Sequence, residues 1–244
     1  MNNNLPEPTG GTTMTLPRTT EPEVMDSAQE AENYDAMDHT DVNQRFVDDY
    51  LAFAGDELTE SSRVSHLILD TGSGTAQIPI LLSSRLTTQH AIIACDLSQE
   101  MLRVARRNIR TAGCDRTVIP ILCNARQLPV RNRSCHHLIS NSIIHHMPDP
   151  VVAFSELRRV AAANAIVFVR DLLRPDTADD VERLVLQWAG PATEHQQQMF
   201  RESLHAALTT AEIRDMLLTV RLNPDWVRQT TDRHWTIAGR MPDN

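Results

Sequence analysis

The sequence predicts an α/β protein with a three-layer, doubly wound, mostly parallel seven-stranded sheet that ends in an antiparallel hairpin. Over residues 64–171, short apolar runs typical of buried strands alternate five times with segments of helical periodicity. Parallel strands need such crossover helices, so this alternation predicts a parallel sheet with helices on both faces. Two short β-type segments near the C terminus flank a turn and supply the closing hairpin. Helices before the first strand and after the fifth are expected to form a lid.

The strand predictions rest on short apolar runs that end at polar residues or turns. The five parallel strands are expected at residues 64–70, 91–96, 118–123, 136–141 and 165–171, and the hairpin within 225–241.

The helix predictions rest on apolar side chains at helical spacing and on start and stop signals. Pro79 is tolerable only in the first turn of its helix, and Ser98 and Gly113 mark the start and end of the next. The predicted helices cover residues 40–54, 75–86, 99–112, 149–163, 177–189, 194–207 and 209–219.

Composition excludes several classes of protein. All 23 cationic side chains of this 244-residue chain are arginines, so Schiff-base chemistry and Walker-type phosphate binding, which need a lysine, are excluded. The net charge of −9 argues against a nucleic-acid partner. No apolar run reaches the ~20 residues of a membrane span, and the N terminus lacks signal-peptide features. We therefore expect a cytoplasmic protein whose four cysteines are reduced.

The segment LILDTGSGTAQ (67–77) carries the strongest motif. A strand ends in Asp70, and Gly72 and Gly74 allow a tight turn before the next helix. In the dinucleotide fingerprint the third glycine would fall on Gln77, so that motif is not met. The second strand ends in Asp96, whose carboxylate can accept hydrogen bonds from a ribose diol. A helix-cap role is the alternative for Asp96.

Two further segments follow at the ends of later strands. Asn124, in CNARQLPV, can accept a hydrogen bond from an adenine amine, or it forms an ordinary Asn turn. The fourth strand leads into SNSIIHHMPDP. These four segments, in this order, resemble the class I (Rossmann-like) S-adenosylmethionine-dependent methyltransferases, in particular the ubiquinone/menaquinone C-methyltransferase-like group. Ala76 departs from that pattern, where many members have glycine, and Asn124 replaces an acid.

The resemblance implies the cofactor S-adenosyl-L-methionine and methyl transfer to a small-molecule substrate. The domain organisation then becomes a disordered tail (1–22) followed by one methyltransferase domain (23–244), with lid helices at 30–55, a cofactor-binding core at 64–171 and substrate-side helices at 172–220. The expected cofactor-binding residues are Tyr34, Asp70, Gly72, Ser73, Gly74, Thr75, Asp96, Leu97, Met101, Asn124, Ala125, Arg126 and Asn141.

The candidate catalytic residues are His145 and His146, which follow the fourth strand beside the expected acceptor position. One of them is predicted to act as a general base, and a structural role is the alternative for each. No metal site is expected, because adjacent histidines on a strand point to opposite faces. Residues 30–46 are predicted to be a mobile lid that carries Tyr34. A helix packed permanently on the sheet is the alternative.

Several points stay open at the level of sequence. A catalytically silent S-adenosylmethionine-binding protein and a nucleic-acid methyltransferase are the alternatives to a small-molecule enzyme. The acceptor atom, the substrate, the oligomeric state and the start of translation, at Met1 or Met14, are undetermined.

Overall fold

The computed structural model describes residues 16–21, 27–58, 65–87 and 89–243. Its seven-stranded sheet has the order β3-β2-β1-β4-β5-β7-β6. The first five strands pair in parallel, and β7 runs antiparallel to β5 and β6, which confirms the predicted fold class. The strands are β1 (His66–Thr71), β2 (His90–Asp96), β3 (Val118–Leu122), β4 (Cys135–Asn141), β5 (Ala161–Leu172), β6 (Val227–Gln229) and β7 (His234–Arg240).

Eight α-helices cover the sheet in the part of the chain that is described: α1 (Ala28–Asp35), α2 (Thr40–Ala54), α3 (Gln77–Arg85), α4 (Gln99–Thr111), α5 (Pro150–Val160), α6 (Ala178–Ala189), α7 (Glu194–Ala206) and α8 (Thr210–Thr219). None of these helices is long and apolar enough to cross a bilayer.

Two apolar clusters form the cores on the two faces of the sheet. One contains side chains of α2, α3 and α4, and the other contains side chains of α5 and α8. Neighbouring strand residues divide between the clusters: Ile68 and Ile139 face the first, whereas Leu69 and Leu138 face the second. Both faces of the sheet are therefore buried, as expected for a doubly wound sheet.

The junction of α5 and β5 differs from its prediction. The helix was expected to continue to residue 163, but it ends at Val160 and the strand starts at Ala161. Ala161 pairs with Cys135 of β4. Sheet pairing thus overrides the helix propensity of the alanine run.

The prediction of a disordered tail over residues 1–22 is wrong for residues 16–21, which we call the N-terminal strap; residues 1–15 and 22 lie outside the described residues. The amides of Leu16 and Thr19 donate to the carbonyls of Asp176 and His205 at 3.0 Å each. The Arg18 side chain donates to carbonyl oxygens of residues 145, 147 and 206. The strap is ordered because the rest of the chain supplies these acceptors, which local composition cannot reveal.

The expectation of four reduced thiols is also wrong, since Cys95 and Cys123 form a disulfide. Cys95 lies in β2, and Cys123 follows directly after the neighbouring β3, so adjacent strands bring the two sulfur atoms together. Cys114 and Cys135 are free thiols.

Candidate active site

The carboxyl ends of four neighbouring strands bring the predicted polar residues to one edge of the sheet. Asp70 lies near the end of β1, Asp96 ends β2, Asn124 follows β3 and Asn141 ends β4. The strand order reverses between β1 and β4. In open α/β sheets such a reversal opens the crevice in which ligands bind.

The glycine-rich turn after β1 is closely packed beneath this edge. Gly72 has φ +74°, and a side chain there would overlap that of Ile143. The amides of Gly72 and Ser73 donate to the Cys95 carbonyl at 2.7 and 3.0 Å. Glycine is required at position 72 for both its backbone conformation and this close approach.

Asp96 joins the turn to α4. Its Oδ2 accepts a hydrogen bond from the Gly74 amide at 2.8 Å, and its Oδ1 accepts one from the Ser98 amide at 2.9 Å. Ser98 in turn caps α4, because its Oγ accepts from the Met101 amide at 3.2 Å. Asp96 therefore supports the helix start and the glycine-rich turn together. A carboxylate has about four acceptor positions, so both oxygens can still accept bonds from a ligand.

Among the carboxyl groups at this edge, that of Asp70 has the pKa that departs furthest from its ordinary value. Burial, followed by the negative charge of Asp96, raises the pKa of Asp70 to about 8. The Oγ atom of neighbouring Ser73 is buried and has no hydrogen-bond partner among the described residues. A ligand with a cationic group and polar atoms would offset both the burial of a charged Asp70 carboxylate and the missing hydrogen bond of Ser73. S-adenosylmethionine, which carries an ammonium and a sulfonium, fits these residues.

Tyr34 lies on the glycine-rich turn. Its Cε1 is 3.6 Å from the position that a Cβ of residue 74 would take. Burial, with smaller contributions from Asp96 and Asp70, raises the pKa of Tyr34 to about 12, so its phenol is neutral near pH 7. Tyr34 thus lies against the glycine-rich turn, and its contact with a cofactor stays a prediction.

The two N-terminal helices, α1 and α2, were predicted together as a lid but pack on the protein in different ways. Phe46, Val47 and Tyr50 of α2 are fully buried in the core, so α2 is the permanently packed helix of the alternative prediction. In contrast, α1 packs on α4 through a small apolar cluster around Ala31 and through ion pairs in which Arg107 contacts Glu32 and Asp35. The lid prediction stays a prediction for α1 only.

Asn124 forms the ordinary turn that was its alternative. Its Oδ1 accepts hydrogen bonds from the Arg126 amide at 2.9 Å and from Arg126 Nε at 3.4 Å, so an adenine amine would have to replace the longer of the two. The remaining predicted cofactor residues lie around the same edge: Thr75 is buried, Met101 is buried on α4, Leu97 is exposed, and Ala125, Arg126 and Asn141 are partly exposed.

His145 and His146 lie in a 3₁₀ turn (Ile144–His146) and not in a strand. Their rings therefore lie on the same side, with centroids 4.1 Å apart, and the argument that adjacent histidines diverge does not hold here. The turn follows shortly after the end of β4, whose carboxyl end belongs to the cofactor edge.

Asp171 of β5 fixes the orientation of His145. The carboxylate accepts hydrogen bonds from His145 Nδ1 at 2.5 Å and from the Ile144 and Leu172 amides. Burial is the largest single effect and opposes the charged form of Asp171, but the charge of His145 and the hydrogen bonds from His145 and the Leu172 amide together outweigh it and lower the pKa of Asp171. The sequence placed Asp171 at a strand end and gave it no specific partner.

Glu21 of the N-terminal strap lies beside both histidines, and these three residues and Asp171 form one group of titratable side chains. Its Oε1 lies 3.4 Å from His145 Nε2 and 3.1 Å from His146 Nδ1. Both ring nitrogens of His145 thus face carboxylates, which does not fit its predicted role as a general base; for His146 that role stays a prediction. Sequence reasoning missed Glu21 because it assigned this segment to a disordered tail.

The fold and the arrangement of this edge are similar to those of class I, S-adenosylmethionine-dependent methyltransferases. A family model described as a methyltransferase domain matches residues 68–164. That segment contains β1 to β4 and the start of β5, and it includes the glycine-rich turn, Asp96 and the two histidines.

Individual methyltransferases are similar to part of this chain. The methyltransferase GfsG of Streptomyces halstedii is 28% identical over 57% of this chain and 51% of its own length. The ubiquinone/menaquinone C-methyltransferase UbiE of Xylella fastidiosa (strain M12) is 30% identical over 38% of this chain and 37% of its own length. The chain therefore matches about half or less of these relatives' lengths.

A solved structure shows the fold over nearly the whole chain. A putative S-adenosylmethionine-dependent methyltransferase of Methanococcus maripaludis superposes with a TM-score of 0.64, covering 93% of this chain and 99% of that one at 13% identity. The helices outside residues 68–164 thus belong to the same fold.

Proposed function

We propose that this protein transfers the methyl group of S-adenosylmethionine to a small-molecule acceptor. The observation that carries the proposal is the pair of carboxylates, Asp70 and Asp96, at the ends of adjacent strands with the glycine-rich turn between them. Asp70 would bind the ammonium group of the cofactor and Asp96 its ribose hydroxyls. Tyr34 would cover the methionine portion.

The acceptor site proposed here lies between this edge and the group formed by Glu21, His145, His146 and Asp171. The acceptor atom forms a bond to the methyl carbon as the carbon–sulfur bond breaks, and the electron pair of that bond stays on sulfur. Because the sulfonium loses its charge in this step, the protein must chiefly align the two reactants and exclude water. The group around His146 would bind and activate an acceptor that loses a proton.

The proposal is tested in two stages with the full chain. Calorimetry should show one bound S-adenosylhomocysteine per chain, and the ligand should raise the melting temperature because it stabilises the folded state by mass action. A panel of small molecules is then scanned for formation of S-adenosylhomocysteine from S-adenosylmethionine. Absence of binding at millimolar ligand would contradict the cofactor assignment. Tight binding without turnover of any metabolite would favour a catalytically silent protein, and turnover with RNA or DNA alone would contradict the small-molecule acceptor.

A further inference from the structure

Three side chains converge at the acceptor side of the edge in the manner of metal ligands. One ligand atom from each of Glu21, His145 and His146 can be chosen so that all lie within 4.8 Å of one another. We propose that these three residues bind a first-row divalent cation of the Zn²⁺ type. The proposal rests on the proposed function for its role in methyl transfer, and on geometry alone for the site.

Two of the three separations, those from Glu21 to each histidine, match those of a coordination shell. Zn²⁺ binds nitrogen and oxygen ligands at ~2.0–2.2 Å, so tetrahedral neighbours stand about 3.3 Å apart. Glu21 Oε1 lies 3.1 Å from His146 Nδ1 and 3.4 Å from His145 Nε2. Two histidines and one glutamate with an open fourth position are also the ligand set of a class of catalytic zinc sites.

His146 supplies an independent observation. Its Nδ1 is buried and has no hydrogen bond of acceptable geometry among the described residues, although Glu21 Oε1 is near. A buried nitrogen without a hydrogen bond is costly. A cation between the two atoms would satisfy both the nitrogen lone pair and the carboxylate.

Asp171 prepares His145 for this role. Ligating histidines almost always donate their other ring N–H to a carboxylate or carbonyl, which fixes the tautomer and the ring plane. Here Nδ1 of His145 is bound to Asp171, so Nε2 is the nitrogen that faces Glu21. In the metal-bound form both imidazoles would be neutral, and the cation would balance the charge of about −2 on the two carboxylates.

The proposed metal site is open to solvent on the side of His146 and buried elsewhere. The side chains of His145 and Glu21 are 4% and 12% exposed, whereas that of His146 is 24% exposed. Arg18 is the nearby cation that opposes metal binding, but its guanidinium donates to the carbonyls of His145 and Met147. The open side allows a cation to enter and an acceptor oxygen to approach it. Lewis-acid polarisation would then favour loss of the acceptor's proton to solvent.

Metal binding is measured directly on tag-free full-length protein that has been treated with EDTA and dialysed. Titration with ZnCl₂ should show one tight site per chain, and Co²⁺ should give the visible absorption of a low-coordinate N/O site. Loss of a hydrogen-bond partner of a ligating histidine costs about 10–100-fold in affinity, so Glu21→Gln and His146→Ala should each cost at least about 100-fold. His195→Ala, which removes an exposed histidine on α7, is the matched control and should leave affinity unchanged.

The outcomes separate this proposal from the proposed function. Absence of Zn²⁺ and Co²⁺ binding, or equal affinity in Glu21→Gln and wild type, overturns the metal site. Glu21 lies on the strap outside the sheet, so its variant should fold, which circular dichroism verifies. S-adenosylhomocysteine binding by the EDTA-treated protein tests the proposed function on its own. Full methyl transfer after EDTA treatment, with loss of activity in His146→Ala, would support a general base and overturn a catalytic role for the metal.

Discussion

The Asp96 carboxylate and the Gly74 amide, 2.8 Å apart, tie the end of β2 to the glycine-rich turn that follows β1. This bond crosses between two neighbouring strands at the cofactor edge. It gives Asp96 a role in the protein itself, in addition to any ligand contact, because the same carboxylate also accepts from the Ser98 amide.

The first prediction concerns this carboxylate. Asp96→Ala should weaken S-adenosylhomocysteine binding about 10- to 150-fold, because hydrogen bonds to a charged group are worth ~1.5–3 kcal/mol. Calorimetry gives the affinity. Asp115→Ala, which removes an exposed carboxylate between α4 and β3, controls for the change in net charge. Unchanged affinity in Asp96→Ala would restrict Asp96 to its structural role.

The second prediction separates backbone conformation from packing at the glycine-rich turn. Gly72 and Gly113 have similar φ angles, +74° and +67°, but only a Cβ at position 72 would meet a neighbour, Ile143. Gly113→Ala should cost ~1–2 kcal/mol for the left-handed conformation. Gly72→Ala should cost a further ~1–3 kcal/mol for overpacking. Urea denaturation measures both, and equal costs would show that the turn can move away from Ile143.

The third prediction follows from the pKa of Asp70, which burial and the charge of Asp96 raise to about 8. Without a ligand, folding favours the protonated carboxyl, so the free energy of unfolding falls as pH rises from the unfolded pKa towards 8. The ligand's ammonium favours the ionised form, so binding should release a proton. Affinity for S-adenosylhomocysteine should therefore rise up to tenfold per pH unit between about pH 6 and pH 7.5.

Calorimetry in buffers of different ionisation enthalpy counts the released protons. Asp70→Asn is the control, because it removes the titrating carboxyl and keeps the size of the side chain. The variant should bind more weakly and lose most of the pH dependence. An undiminished slope in Asp70→Asn would assign the proton to another group.

The fourth prediction concerns the two N-terminal helices. Because α1 packs on α4 through only a small apolar cluster and surface ion pairs, whereas α2 is buried in the large core on the sheet, only α1 should respond to the ligand. Hydrogen exchange should show added protection of residues 28–39 with S-adenosylhomocysteine and no change in residues 45–54. Complete protection of α1 in the free protein would show that it is a fixed part of the fold.

The cofactor edge was predictable because its signals are local. A strand, a turn that needs Gly72 and Gly74, and an acid at the end of the next strand are each visible within about ten residues. Parallel strands must place their carboxyl ends on the same edge, so Asp70 and Asp96 meet there without further information. Even the departures, Ala76 and Asn124, could be noted before the structure was known.

The acceptor side was not predictable in the same way. Glu21 and His145 are separated by more than a hundred residues, and their approach depends on hydrogen bonds from the strap to α6 and α7 regions of the chain. The 3₁₀ turn that aligns His145 with His146 is stabilised by Asp171, which lies on another strand. No local pattern encodes such contacts.

Hydrophobic periodicity and turn chemistry act over a few residues. They were therefore sufficient to predict the α/β class, the order of strands and helices and the cofactor edge. Only the tertiary structure decided that the strap is ordered, that Cys95 and Cys123 are bonded and that Glu21, His145 and His146 converge. Those features depend on contacts between segments distant in sequence, whose free energy exists only once the sheet and its helices have assembled.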